Sequence, residues 1–233
     1  MRAAVKAAIK GAMKVSGLAA ALLALAAPPS ANGQAPADPT VQVDFSNPNR
    51  SPAQWTLTLR PDGTGHFRSQ ADKAPGDAMQ EIATPPVDRE IQVSAYYADY
   101  VFTAAQQHKW FNERCESHLK VAFQGWLTLS YSGPRGQGSC TFNYSKDKEI
   151  EELGDSLEAV AVTILEGARL ELLLEHDRLG LDAEMEFLTE AAADGRAQQI
   201  GVIRGILERL AQDETVLERV RKRARILLVQ GPT

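Results

Sequence analysis

The residue pattern of this chain changes once, near Ser145, and that change constrains the fold more than any other feature. Between Val41 and Tyr144 apolar and polar residues alternate in several stretches, turn residues recur, and fourteen of the fifteen aromatic residues occur. From Lys146 onward Leu, Glu, Arg and Ala dominate, and Phe187 is the only aromatic residue. Alternation is typical of half-buried strands, and apolar residues at every third or fourth position are typical of amphipathic helices. The sequence therefore predicts strands first and helices afterwards.

The first half contains the signals of an antiparallel sheet. Trp55, Leu57 and Leu59 alternate with polar residues, and Pro61-Asp62-Gly63 is a turn sequence before a return strand over 65–69. A second hairpin is predicted from strands over 125–132 and 139–144, with a glycine-rich connection. The remaining predicted elements are strands over 41–45 and 89–93, a helix over 95–107 capped by Ser94, and a long loop over 70–88.

Together these elements predict an α+β protein. Residues 36–145 are expected to form an antiparallel sheet with one packed helix, and residues 146–233 an all-α region of about four helices. The first of these helices is predicted over 146–175, with Ser145 as its cap and Gly180 as its C-terminal end. The last helix is rich in Arg, and the acidic stretch over 147–190 is its predicted partner.

Residues 1–35 have the three parts of a secretory signal peptide. The segment contains four cations and no acidic residue. An apolar run covers residues 15–27, and Pro28-Pro29 and several small residues follow it. The run is shorter than the ~20 apolar residues that a spanning helix needs. The sequence predicts cleavage and export to the periplasm or the extracellular space, with no stable membrane anchor after cleavage. An uncleaved anchor is the alternative.

Removal of this leader makes the chain more acidic. The formal net charge is −5 for the whole sequence and becomes −9 without residues 1–35, because four cations leave with them. Binding of nucleic acid depends on Lys and Arg that neutralise phosphates. Nucleic acid is therefore not an expected partner, and a protein is.

Two cysteines, Cys115 and Cys140, are the only ones in the chain. In an oxidising compartment such a pair is expected to form a disulfide. The bond would close a loop of about 26 residues, which the chain-entropy treatment values at about 3.5 kcal/mol of stability. Cys140 is predicted to share a strand face with aromatic residues, so the disulfide is expected to be structural.

Two chemical alternatives use the same cysteines. His108, Cys115, His118 and Cys140 are ligand types that zinc accepts, although only Cys115-x-x-His118 has a familiar short spacing. The segment 137–140, Gln-Gly-Ser-Cys, faintly resembles the sequence around the nucleophile of papain-type proteases. That cysteine begins a helix in the family, whereas a strand-like sequence follows Cys140 here. The preferred prediction is that the protein binds no metal and no cofactor.

Scattered polar residues offer one more catalytic possibility. His66, Asp62 and Ser69 lie around the first hairpin turn, but a Ser-His-Asp site depends on a geometry that sequence does not define. We interpret them as polar residues of an exposed strand face. On the helix over 95–107, a stripe that includes Tyr97 and Tyr100 and continues to His108 is predicted to pack on the sheet.

The end of the chain resembles a single HEAT-like repeat over residues 200–228. The likeness rests on Ile203-x-x-Ile206-Leu207-x-x-Leu210, then Asp213, then Val220-Arg221-x-x-Ala224-x-x-x-Leu228. HEAT repeats are helical scaffolds that bind proteins, so the resemblance implies a docking role. Repeat architectures need at least three stacked units, and an ordinary helical bundle is the alternative.

No catalytic motif is recognised in the sequence, and no catalytic residue is predicted. The expected function is that of an exported, non-catalytic binding or assembly module. An exported hydrolase, with a site around His66 or around His108 and the aromatic helix, is the alternative.

Overall fold

The computed structural model describes residues 38–70 and 85–231. The predicted signal peptide and most of the predicted loop over 70–88 lie outside these residues. The strands are β1 Thr40–Ser46, β2 Gln54–Leu59, β3 Thr64–Ser69, β4 Val87–Gln92, β5 Trp126–Gly133 and β6 Gly136–Phe142. The helices are α1 Ala95–Gln107, α2 Lys148–His176, α3 Leu181–Ala193, α4 Arg204–Gln212 and α5 Glu218–Gln230. Among the described helices, none combines the length and the apolar character that crossing a membrane requires.

The six strands form one antiparallel sheet in the order β4-β3-β2-β1-β5-β6. Central β1 pairs with β2 and β5, so that Val43 lies opposite Leu57 on one side and Leu129 on the other. Because side chains alternate between faces, these residues point to one face, and all three are fully buried. Polar side chains occupy the other face. The predicted α+β class, with helices after the sheet, is confirmed.

Helix α2 joins two hydrophobic clusters. Its residues from Ile150 to Ala168 belong to the cluster of the sheet and α1, whereas its residues from Leu170 onward belong to the cluster of α3, α4 and α5. The boundary between the two hydrophobic clusters therefore lies within α2, whereas the composition of the sequence changes near Ser145. A single rigid helix that enters both clusters is expected to couple their stability.

The caps of the helices differ in part from the prediction. Ser94 caps α1 by accepting a hydrogen bond from Tyr97 N at 3.2 Å, as expected. Helix α2 is capped by Asp147 instead of Ser145, and the residue after its end is Asp177. Gly180 precedes α3, so it begins the next helix and does not end α2.

The Arg-rich helix α5 finds the acidic partner that the sequence predicts. Arg219 and Arg223 each contact Asp182 of α3, at 2.6 and 2.7 Å. Arg223 also contacts Glu186 at 3.3 Å. These pairs hold α5 against α3, and the helices of the HEAT-like segment are present as α4 and α5. The family resemblance itself stays a prediction.

Strand β6 begins at Gly136, three residues earlier than predicted, because its glycines make room for a neighbouring turn. A Cβ added to Gly138 would clash with the backbone carbonyl oxygen of Trp110. The turn over Lys109–Phe111 therefore crosses directly over this strand. The Trp110 ring packs beside Tyr131 of β5 with a centroid distance of 4.4 Å.

This turn is left-handed at three successive residues. Lys109, Trp110 and Phe111 have φ values of 52°, 60° and 62°. For residues other than glycine, this conformation costs about 1–2 kcal/mol per residue. The burial of Phe111 and the packing of Trp110 on the sheet offset that cost, but Lys109 is exposed and buries nothing in return.

We therefore expect Lys109→Gly to raise the free energy of unfolding by up to about 1 kcal/mol, because glycine adopts positive φ without strain. Lys109 pairs with Glu113 at 3.5 Å, and such an exposed pair contributes little. Lys109→Ala is the matched control, since it removes the same charge and keeps the strain. Urea denaturation measures both variants, and a glycine variant no more stable than the alanine variant would contradict the prediction.

Candidate functional site

The two cysteines form the predicted disulfide. Cys115 and Cys140 are joined at an S–S distance of 1.99 Å, and each is only 5 % exposed. Cys140 lies on the buried face of β6, and Cys115 follows the left-handed turn. With both sulfur atoms in this bond, neither cysteine is a thiolate ligand or a nucleophile. The structure therefore does not assemble the four-residue zinc set, and His118 is exposed on the loop that follows Cys115.

His108 instead lies among carboxylates. Its Nδ1 is 2.9 Å from Glu113 Oε1 and 3.8 Å from Asp147 Oδ2, and its Nε2 is 3.2 Å from Glu149 Oε2. His108 is buried at the end of α1. One ligand atom from each of His108, Glu113 and Asp147 falls within 4.8 Å of the others, a spacing that a metal ion can span. Both ring nitrogens already contact carboxylates. We therefore interpret His108 as a structural residue that connects the end of α1 with the start of α2.

The structure does not assemble a Ser-His-Asp site from His66, Asp62 and Ser69. His66 contacts Asp88 of the neighbouring strand at 2.8 Å, and not Asp62. Asp62 accepts a hydrogen bond from Thr64 N within its own turn. Ser69 is three residues from His66 on β3, so it faces the opposite side of the sheet, where it is buried and accepts a hydrogen bond from Val87 N.

A groove between α1 and the first turns of α2 is the most distinctive surface of the described chain. It consists of two adjoining depressions of about 230 and 520 Å³, which share Tyr96, Tyr100 and Glu152. Tyr96 is 86 % exposed and Tyr100 is 38 % exposed. They lie one helical turn apart, so their rings project from the same side of α1. We call this surface the tyrosine groove.

The prediction for the aromatic stripe of α1 was only partly right. Tyr97, Val101 and Ala104 are buried against the core as expected. Tyr100 was expected to pack inward with them, but it lies at the edge of the stripe and reaches the groove. Tyr96 lies outside the predicted stripe, and its only signal in the sequence is its place beside Tyr97 on a helix with one buried side.

Four carboxylates line the tyrosine groove, and none of its described lining residues is Lys or Arg. Glu149 contacts His108, while Asp99, Glu152 and Asp155 form no ion pair within the described residues. Burial and the neighbouring Glu152 raise the pKa of Asp155. Burial, with Glu152 and Glu149 nearby, raises the pKa of the Tyr100 hydroxyl. The part of these pKa shifts that Glu152 and Glu149 contribute reflects a negative potential in the groove.

The floor of the groove is held by a chain of hydrogen bonds. Ser156 Oγ lies 3.1 Å from the Tyr97 hydroxyl and 2.7 Å from Gln198 Oε1. Gln199 Oε1 accepts a hydrogen bond from Ser94 N at 2.9 Å. These contacts connect α1, α2 and the segment before α4 at the base of the groove.

Comparison with known proteins gives no family for this chain. No family model matches it, and no curated protein is similar to it in sequence.

Proposed function

We propose that this protein is an exported, non-catalytic binding module whose tyrosine groove receives a basic segment of a partner protein. The observation that supports the proposal is the pair of exposed rings, Tyr96 and Tyr100, beside carboxylates that have no cationic partner in the described chain. Lys and Arg side chains contact the faces of aromatic rings favourably and form charge-assisted hydrogen bonds with carboxylates. One cationic side chain can make both contacts here.

The charge of the groove favours a cation over other ligands. Burial raises the pKa of Asp155 most, and repulsion by Glu152 raises it further. A bound Lys or Arg would replace repulsion with attraction, whereas a phosphate group would add to the repulsion. The groove thus agrees with the expectation that the partner is a protein and not a nucleic acid.

The hydrolase alternative receives less support. It depended on His66 or His108, but His66 is paired with Asp88, and His108 is surrounded by carboxylates. Neither histidine has a serine or a cysteine thiol among its hydrogen-bond partners in the described chain. We therefore keep binding as the proposed function.

The test is a calorimetric titration of the protein, at low salt, with a short peptide of alternating Arg and Gly residues. We expect binding, and we expect the Tyr96→Ala, Tyr100→Ala double variant to weaken it about tenfold, since two cation–π contacts are lost. The matched Phe variant should retain most of the affinity because it keeps both rings. Glu152→Gln with Asp155→Asn should weaken binding and reduce its dependence on salt.

Two controls distinguish the groove from the general acidity of the chain. A peptide in which Glu replaces Arg should not bind, and Glu90→Gln, which removes an exposed carboxylate on β4, should leave binding unchanged. Equal affinity in the Ala, Phe and parent proteins would show that the tyrosines do not form the site, and the proposal would be abandoned.

A further inference from the structure

A second concave site lies between the β1–β2 connection, α2 and α3. It is a cavity of about 160 Å³ whose walls include Phe45, Trp55 and Phe187. The Phe45 and Trp55 rings are stacked, with a centroid distance of 5.3 Å and an interplanar angle of 13°. None of these residues lines the tyrosine groove, so the two sites are independent.

Two polar atoms in the lining of this cavity have no partner. Glu166 Oε2 and Ser51 Oγ are buried, and neither forms a hydrogen bond with any described residue. Glu166 is only 9 % exposed. A buried polar group without a partner costs about 1–3 kcal/mol, so such groups are rare and require an explanation. A ligand in the cavity that hydrogen-bonds to both atoms provides one.

The charged groups around the cavity are already paired. Arg50 contacts Glu158 at 3.3 Å, and Arg169 contacts Glu184 of α3 at 3.4 Å. Burial, a side-chain hydrogen bond with Glu184 and the charge of Glu184 raise the pKa of Glu166 to about 9. At neutral pH Glu166 is therefore an uncharged carboxylic acid whose proton is donated to Glu184, and its unpartnered Oε2 is left as a hydrogen-bond acceptor. Among the described residues that line the cavity, these pairs leave no unpaired cation or anion to attract a charged ligand.

We propose that this cavity binds a small uncharged ring compound bearing an amide or a similar carbonyl group. The ring lies against Phe45 and Trp55, the amide N–H donates a hydrogen bond to Glu166 Oε2, and the carbonyl oxygen accepts one from the Ser51 hydroxyl. The size is appropriate, since an engineered apolar cavity of about 150 Å³ in another protein binds benzene. An apolar and aromatic lining with a small number of fixed polar contacts is the usual means of recognition in such pockets.

The test compares four probes that contain the same ring: benzamide, toluene, benzylammonium and benzoate. Each probe is titrated into the whole protein, and NMR chemical shifts report its binding. We expect benzamide to bind most tightly and toluene at least about tenfold more weakly, because toluene leaves both polar atoms unpaired.

Variants of Glu166 complete the experiment. Glu166→Leu should weaken benzamide binding at least about tenfold, whereas Glu166→Gln keeps an acceptor oxygen and should retain binding. Unchanged benzamide affinity in Glu166→Leu, tightest binding of benzylammonium or benzoate, or no binding of any probe would overturn the proposal. The tyrosine variants should not affect benzamide, so this result is independent of peptide binding in the groove.

Discussion

Replacing Cys115 and Cys140 together by alanine is expected to lower the free energy of unfolding by about 3.5 kcal/mol, because the disulfide closes a loop of about 26 residues in the unfolded chain. In a protein of this size, that loss corresponds to a decrease in the melting temperature of about 7–14 °C. The bond also fixes the segment after the left-handed turn to β6, since it joins those two parts of the chain. Urea denaturation of the oxidised protein and of the double variant measures the difference.

The single variants show whether the effect comes from the cross-link. Cys115→Ala and Cys140→Ala each abolish the same bond, so each should cost nearly as much as the double change. Reductant should lower the stability of the parent protein to that of the double variant and leave the double variant unchanged. Independent, additive costs of the two single changes would contradict a cross-link effect and would instead indicate two separate packing losses.

Most of the sheet was predictable because its signals are local. The alternation of Trp55, Leu57 and Leu59, followed by a turn sequence, specifies a hairpin without knowledge of any distant residue. The first residue of β6 was not predictable in this way. Gly136 and Gly138 look like loop residues, and they belong to a strand only because the turn around Trp110 packs over them. That contact joins segments that are far apart in sequence.

The candidate sites were less predictable than the fold for a related reason. Helical spacing places Tyr96 and Tyr100 on one side of α1, but it does not show that Glu152 of α2 lies beside them. Glu166 presents the same difficulty. Its helix packs on the sheet and on α3, so a position that looks like the polar side of one amphipathic helix becomes buried between two clusters. Both sites depend on packing between helices, which periodicity alone does not specify.

The stability of the protein should fall between pH 5 and pH 9, and Glu166 should account for a large part of that decrease. Burial raises the pKa of Glu166 from 4.5 to about 9 in the folded protein, whereas the unfolded chain keeps the ordinary value. Below both values the carboxyl group is protonated in the folded and the unfolded states, so it adds no pH dependence. Above the unfolded value only the unfolded chain releases the proton, and unfolding becomes more favourable with each further pH unit until the folded value is reached.

Glu166→Gln removes this titration and keeps the shape of the side chain. We expect the variant to match the parent protein near pH 4.5 and to exceed its free energy of unfolding by on the order of 3 kcal/mol near pH 9. Urea denaturation across this pH range measures the difference between the two proteins. That difference isolates Glu166 from Glu158 and Asp155, whose pKa values are also raised by burial, because both proteins contain them.

The neighbouring charges provide a sharper version of this experiment. Arg50, Glu158, Arg169 and Glu184 face Glu166, and Glu184 contributes to the raised pKa of Glu166 while Arg169 opposes it. Glu184→Gln should therefore narrow the pH range over which the parent protein loses stability, and Glu175→Gln, an exposed position near the end of α2, should not. Parallel pH profiles for the parent protein and Glu166→Gln would mean that Glu166 is ionised in the folded state. The uncharged carboxyl group required for the second binding site would then be absent.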